Sequence, residues 1–301
     1  MKTVQVLLSS YNGEKYILQQ LGSIFKQKGV DVFCLVRDDG SKDNTLNILL
    51  DCKKVYKNLE VIVGENIGYG ASFLELIKLS GDFDFYSFSD QDDVWEPLKL
   101  IAAVEHIKKM ENVPTMYFSN LTIVDNELNK IGVLHNIGNP IPDDKLTALV
   151  QGFTHGCTMV FNKNSRNLVN SYKPLQSYAH DFWIPLIHFF VGKIIYDKNS
   201  FINYRQHDNN VFGQKRSLLR LLMLKLTFFS EKKNYYSLLA KDLILGFKNI
   251  LNTEDYQNLK DISEYSNTFS GKLKLLFNRK IKRNTFKGTI ILKFLILFSK
   301  F

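Results

Sequence analysis

Three carboxylates fall within four residues at Asp90-Gln91-Asp92-Asp93, flanked by Phe88-Ser89 and Val94-Trp95. Charges this close repel one another. A hard divalent cation, Mg2+ or Mn2+, would relieve that repulsion through oxygen ligands. The plain alternative is an exposed acidic turn capping the helix that starts near Pro97. Other chemistry-bearing stretches are Arg37-Asp38-Asp39-Gly40, His180-Asp181-Phe182-Trp183 and Tyr204-Arg205-Gln206-His207.

These residues need elements to carry them. Phe83-Asp84-Phe85-Tyr86-Ser87-Phe88 alternates aromatic with small or polar residues, the pattern of a strand. The acids are therefore expected at a strand's C-terminal end, where open α/β sheets place their ligand crevice. Residues 4–8 and 32–36 read as buried strands, and 59–63 as a third strand. Each leads to a polar or glycine-containing loop: Ser9-Ser10-Tyr11-Asn12-Gly13, Asp38-Asp39-Gly40-Ser41 and Asn66-Ile67-Gly68-Tyr69-Gly70. Helical spacing marks 14–28, ended by Gly29. A second helix runs from Ser41 to about Val55, with Ser41 or Asp43 as N-cap, and a third covers 71–79. The alternation predicts a mostly parallel, doubly wound α/β sheet with helices on both faces. Four loops on one edge make a nucleotide-sized crevice. The first loop lacks GxGxxG and no Walker A pattern is present, so a dinucleotide fingerprint is absent and a P-loop enzyme is disfavoured.

Downstream, a helix is expected from Pro97 to about Met110, a strand at 115–119, and a strand and turn over 121–133. An irregular loop covers 136–145, and 146–153 is a short helix or strand. A strand follows at 156–161, helices at 164–172 and from His180 to Phe190, and a strand within 194–202. Beyond Gly213 only helical periodicity remains, at 216–229, 234–251 and 253–269. The predicted boundary therefore separates an α/β domain, 1–213, from a helical extension, 214–301.

The chain has 301 residues and a formal charge of +9. That charge lies in the tail: nine Lys and Arg follow Glu264 with no further Asp or Glu, so the body before it is neutral. Cys34, Cys52 and Cys157 are widely spaced without CxxC, which predicts buried free thiols in a reducing compartment. Signal-peptide architecture and a spanning segment of about 20 apolar residues are both lacking. The apolar piece 289–298, with its basic neighbours, fits either a segment lying in the lipid headgroup region or a last helix packed on the body.

The first strand with Tyr11-Asn12-Gly13, the stretch Arg37-Asp38-Asp39-Gly40-Ser41-Lys42-Asp43-Asn44-Thr45, and residues 88–95 together resemble the family-2 glycosyltransferases of the GT-A fold, over roughly residues 1–213. Ser89-Asp90-Gln91-Asp92-Asp93-Val94-Trp95, with His180-Asp181-Phe182-Trp183 and Arg205-Gln206-His207, looks most like the bacterial rhamnosyltransferase-like subgroup of polysaccharide assembly. The resemblance implies that Asp39 accepts the imide N–H of uracil or thymine and that Tyr11 lies against the base. Ser9 and Asp38 would be near it, and Asn66 belongs to the same donor-binding set. Asp90 would face ribose and metal, and Asp92 would bind the metal directly. Asp93 is a third acid or a helix cap. Asp181 would be the general base, at the start of a helix. The family more often has Glu where His180 stands, which leaves the role of His180 open. His207 would be a further metal ligand and Arg205 a cation on the diphosphate. Trp95, Trp183, His155 and Phe153 either wall a sugar ring or fill the core.

The function so implied is an inverting, metal-dependent transferase. It would use a dTDP- or UDP-sugar, with dTDP-L-rhamnose the expected donor, and a polyprenyl-diphosphate-linked saccharide as acceptor. It would work as a cytoplasmic protein, peripheral on the inner face of the plasma membrane and held by anionic lipid, with no nucleic acid as partner. A nucleotidyltransferase acting on sugar phosphates is the alternative, but the loop Ser9-Ser10-Tyr11-Asn12-Gly13 lacks the glycines and basic residue it would want. A nucleic-acid binder working through the basic tail is a third reading, opposed by the neutral body and the gathered acids.

Overall fold

The computed structural model describes residues 1–135, 140–206 and 234–301. His207, the boundary at Gly213, the helix expected at 216–229 and part of the loop expected at 136–145 lie outside the described residues. The chain divides into two compact units. One comprises Met1–Pro140, Thr154–Tyr172 and Gln176–His207, the other Ile141–Phe153, Lys173–Leu175 and Asp208–Phe301.

The first unit alternates strand and helix in its first third: β1 (Thr3–Ser10), α1 (Ile17–Ile24), β2 (Asp31–Asp38), α2 (Thr45–Val55), β3 (Leu59–Val63), α3 (Tyr69–Leu79), β4 (Phe85–Ser89). It continues with β5 (Val94–Trp95), α4 (Lys99–Ile107), β6 (Thr115–Val124) and β7 (Lys130–Val133). The short α5 (Lys145–Val150) belongs to the second unit. The first unit resumes with β8 (Met159–Asn162), α6 (Lys163–Asn170), α7 (His180–Val191) and β9 (Lys193–Arg205).

Among the described residues one nine-stranded sheet forms, in the order β3-β2-β1-β4-β8-β6-β9-β5, with β7 beside β6. β1 to β4 are parallel to one another. Val4, Val6, Leu7, Leu8 and Val36 are buried outright, as strands covered on both faces must be. The sheet turns mixed at β8, which runs antiparallel to both β4 and β6, while β9 is parallel to β6. β5 closes the far edge, antiparallel to β9 through Val94↔Asn203 and Trp95↔Ile202.

Some sequence expectations shift. The first helix spans eight residues rather than the whole of 14–28. α2 begins at Thr45 after Asn44, and Asp43 Oδ1 accepts the Thr45 N–H at 3.0 Å. Ser41 is not the cap: its N–H donates to Asp38 Oδ2 at 2.9 Å. The strand expected from Gly156 begins only at Met159, after a turn of 3-10 helix. Gly156 is pinned there because a Cβ would lie 2.1 Å from the His180 Nε2. The three cysteines are buried and free.

The second unit is helical among its described residues: α5, α8 (Tyr235–Phe247), α9 (Thr253–Ser263), α10 (Phe269–Phe277) and α11 (Phe286–Leu297). Asn252, Thr268 and Thr285 cap the last three, each side chain accepting a first-turn N–H. Lys145 on α5 bridges to Asp255 on α9 at 2.5 Å. Among the described residues no helix is long and apolar enough to cross a membrane.

Candidate active site

The chain builds β1, β2 and β3 outward, then returns to lay β4 on the other side of β1. That reversal is a switch point, and the loops leaving β1 and β4 lie beside it. Register brings their ends level, with Leu8 opposite Ser89 and Ser10 opposite Asp38. Gln91 ties the two loops together. Its amide accepts the Tyr11 N–H at 2.8 Å and donates to the Tyr11 carbonyl at 3.0 Å. Gly13 leaves room for this clamp, since a Cβ there would meet the Gln91 amide at 2.2 Å.

The acidic loop is held at both ends, by β4 before it and by the β5–β9 pairing after it. Arg205, the last residue of β9, closes it from below. Its main-chain N–H donates to Asp93 Oδ1 at 3.4 Å and its Nε to the Asp92 carbonyl at 3.0 Å. The rest of the guanidinium bonds the Asn126 carbonyl and Gln19 Oε1, and it lies 4.7 Å from the Tyr16 ring centre. Arg205 is thus buried as a brace beneath the acids, and each of its guanidinium nitrogens has a protein acceptor. A diphosphate would have to compete with those acceptors.

Three acids, three environments result. Asp93 is 1% exposed, and its Oδ2 has no hydrogen-bond partner. Burial, then Asp92 and Asp90, push its pKa well up. Asp90 is pushed up to about 7 by burial and by the charges of Asp92 and Asp181. Asp92 is partly exposed. One ligand atom from each of Asp90, Asp93 and Cys157 lies within 4.8 Å of the others. Beneath them Lys99 is buried, donating to Ser87 Oγ at 2.9 Å and standing 3.6 Å over the Trp95 ring. Burial lowers the Lys99 pKa to about 7, against the pull of Cys157 and Asp93.

Asp181 reaches this group from the first turn of α7. Burial raises its pKa to about 6. Tyr69, half-exposed at the start of α3, has its phenol raised by burial and by the charges of Asp181 and Asp90, and its ring stands 6.5 Å from that of His180. Pro185, inside α7, has no N–H to give the Asp181 carbonyl. Thr154 Oγ1 donates to that carbonyl instead, at 2.8 Å. His180 is turned away, packed at 4.0 Å from the Phe73 ring and 5.0 Å from Phe88. Burial lowers its pKa to about 3, and neither ring nitrogen has a hydrogen-bond partner.

Residues 5–168 match the sequence profile of Glycosyl transferase family 2. The chain belongs to glycosyltransferase family 2. It is 29% identical over 220 residues to the dTDP-rhamnosyl transferase RfbG of Shigella flexneri, covering 68% of this chain and 73% of that one. It is 26% identical over 247 residues to a chondroitin synthase of Escherichia coli, covering 81% of this chain but 33% of the synthase. The fold is that of GT-A enzymes. The crystal structure of S. aureus TarS 1–349 with UDP superposes with a TM-score of 0.58 at 18% identity, over 91% of this chain and 75% of that one. The mannosyltransferase PcManGT of Pyrobaculum calidifontis, in complex with GDP-Man and Mn2+, gives 0.52 at 11% identity, over 97% and 86%.

Family membership sets aside the nucleotidyltransferase reading. In this family-2 glycosyltransferase the expected donor-binding residues line the edge of the first three strands. Ser9 Oγ donates to Ser72 Oγ at 2.7 Å. Tyr11 is 41% exposed, open to stacking. Asp38 holds Ser41 and Ser10. Asp39 pairs with Arg37 and accepts the N–H groups of Ile67 and Gly68, each at 3.0 Å. Three of about four acceptor positions on Asp39 are filled, and the residue is 2% exposed. Asn66 is exposed in the next loop. Trp95 and Trp183 are buried in the core and wall no open space.

The donor set also fits a hard cation. The carboxylates of Asp90 and Asp93 destabilise each other's charge, and a buried oxygen stands unpartnered. The Cys157 thiol is held protonated by burial and by Asp93, which disfavours soft metals. Lys99, Tyr69 and Thr154 carried no signal in the sequence, and Cys157 read only as a buried thiol. Tyr69 alone stood in a loop already marked as a crevice edge.

Proposed function

We propose that this chain is an inverting, metal-dependent glycosyltransferase that moves a sugar from a nucleoside diphosphate to an acceptor hydroxyl. The observation that carries it is the acid cluster at the switch point between β1 and β4, with the start of α7, which bears Asp181, packed through His180 on Phe88 of β4. Asp90 and Asp92 would hold Mg2+ or Mn2+, with Asp93 behind them. The bound ion would offset charge on the departing diphosphate. Tyr11 and Asp39 take the base, and Tyr69 borders the sugar. The acceptor oxygen attacks the anomeric carbon, the bond from that carbon to the diphosphate oxygen breaks, and the hydroxyl proton passes to Asp181. A carboxylate whose pKa is raised toward neutrality is a stronger base than an exposed one.

Likeness to RfbG supports dTDP-L-rhamnose as donor. The acceptor would be a polyprenyl-diphosphate-linked saccharide in bacterial surface polysaccharide synthesis, met at the inner face of the plasma membrane. Incubating the protein with Mn2+, a panel of dTDP-, UDP- and GDP-sugars and a lipid-linked saccharide pool, read by mass spectrometry, tests this. A mass increase of one deoxyhexose with dTDP-L-rhamnose is expected. No product from any donor would sink the proposal.

A further inference from the structure

α11, Phe286–Leu297, reads FKGTIILKFLIL and is apolar nearly all the way round. Such a helix is normally enclosed on every side. Here Leu292, Leu295 and Ile296 are buried, while the opposite side is open. Phe286 is 81% exposed, Phe294 55% and Phe298 65%, and Ile290 and Leu297 are exposed beside them. Phe286, Ile290, Phe294 and Phe298 recur every fourth residue, so they form one stripe along the helix. The rings of Phe294 and Phe298 lie nearly parallel, with centres 6.4 Å apart.

The charge around the stripe says what would cover it. No Asp or Glu follows Glu264. Lys282, Lys287 and Lys300 are exposed and pair with no carboxylate among the described residues. Aromatic rings with flanking lysines suit the boundary of an anionic bilayer, where rings enter the acyl edge and ammonium groups meet phosphate. A second copy docked by two-fold symmetry would set these same cations against themselves. Twelve residues are too few to span the bilayer, so the helix would lie along it.

We infer that the Phe286–Phe298 stripe is a docking face for an anionic lipid surface, with the lysines around it as its electrostatic rim. It adds named residues to the membrane placement proposed above, and vesicle binding is read without any sugar donor. The transfer reading and the docking reading can therefore fail separately.

The test is flotation of the full chain with phosphatidylcholine vesicles, with or without phosphatidylglycerol. Binding should require phosphatidylglycerol and fall with salt. Phe286→Ser/Phe294→Ser/Phe298→Ser and Lys282→Gln/Lys287→Gln/Lys300→Gln should each weaken it on the order of tenfold or more. Circular dichroism checks that both variants fold. A single Phe294→Trp variant should shift its emission to the blue on binding. The inference is overturned if the full chain does not float. It is equally overturned if the serine variant floats as well as the parent, or if light scattering shows a dimer that the serine changes dissociate.

Discussion

The Thr154 hydroxyl donates to the main-chain carbonyl of Asp181 at 2.8 Å, and that carbonyl is the one Pro185 leaves without its helical partner. A first-turn carbonyl left bare would let the start of α7 shift. The hydroxyl fixes the backbone that carries the proposed base. Thr154→Val should lower kcat about fivefold with the donor KM unchanged, the worth of one neutral hydrogen bond. Thr154→Ser should restore it. Steady-state kinetics decides, and a rise in KM alone would assign Thr154 to binding instead.

Asp181→Asn should leave donor binding intact and reduce transfer by about 10²-fold or more. In the parent, the rate should climb as pH rises through about 6 and then level, because only the deprotonated carboxylate accepts the proton. Stability moves the other way. The folded pKa exceeds the unfolded one, so the folded state binds more protons between about pH 4 and 6, and stability falls as pH rises across that window. The Asn variant removes this cost and should be more stable at pH 7.5 by on the order of 1–3 kcal/mol. The gain should vanish below about pH 4. Transfer retained by the variant would show that another group takes the proton.

Metal binding should relieve the repulsion among the clustered acids. Mn2+ should raise the melting temperature, and the rise should grow with pH up to about 7, because protons held by Asp90 compete with the ion. Asp92→Ala should abolish both the Mn2+ shift and metal-dependent binding of the nucleotide while leaving the circular dichroism spectrum unchanged. Calorimetry with dTDP or UDP, with and without EDTA, checks this. Nucleotide binding indifferent to EDTA would count against a metal-dependent enzyme.

Lys99 and Asp93 are both buried beneath the site, where burial lowers the Lys99 pKa to about 7 and raises that of Asp93. Lys99→Met should destabilise the fold by about 1–3 kcal/mol, since it removes the buried donor to Ser87 Oγ and an electrostatic neighbour of Asp93. Adding Asp93→Asn should recover most of that loss. A urea-melt double-mutant cycle measures the coupling, and strictly additive effects would show that the two charges act independently.

Much of the site was legible because its signals are local. Asp90 to Asp93 follow an alternating strand, and crowded like charges at such a place read either as a cation site or as a helix cap. The β1 and β2 strands were equally visible, since burial on both faces demands apolar runs such as 4–8 and 32–36. Arg205 shows where that legibility stopped. Its charge suggested a phosphate contact, yet β9 pairs with β5 and turns it beneath the acidic loop. Lys99 looked like one more lysine at a helix start. Thr154 meets the Asp181 carbonyl across 27 residues of sequence, a distance no local pattern reports.

The amino-acid sequence by itself determined which residue types stand at strand ends and helix starts, through period, turn chemistry and charge. Tertiary structure alone decided which of them face one another, which are buried and whose pKa moves. Those properties depend on distances between segments remote in the chain, and such distances are set by packing of the whole sheet rather than by neighbours in sequence.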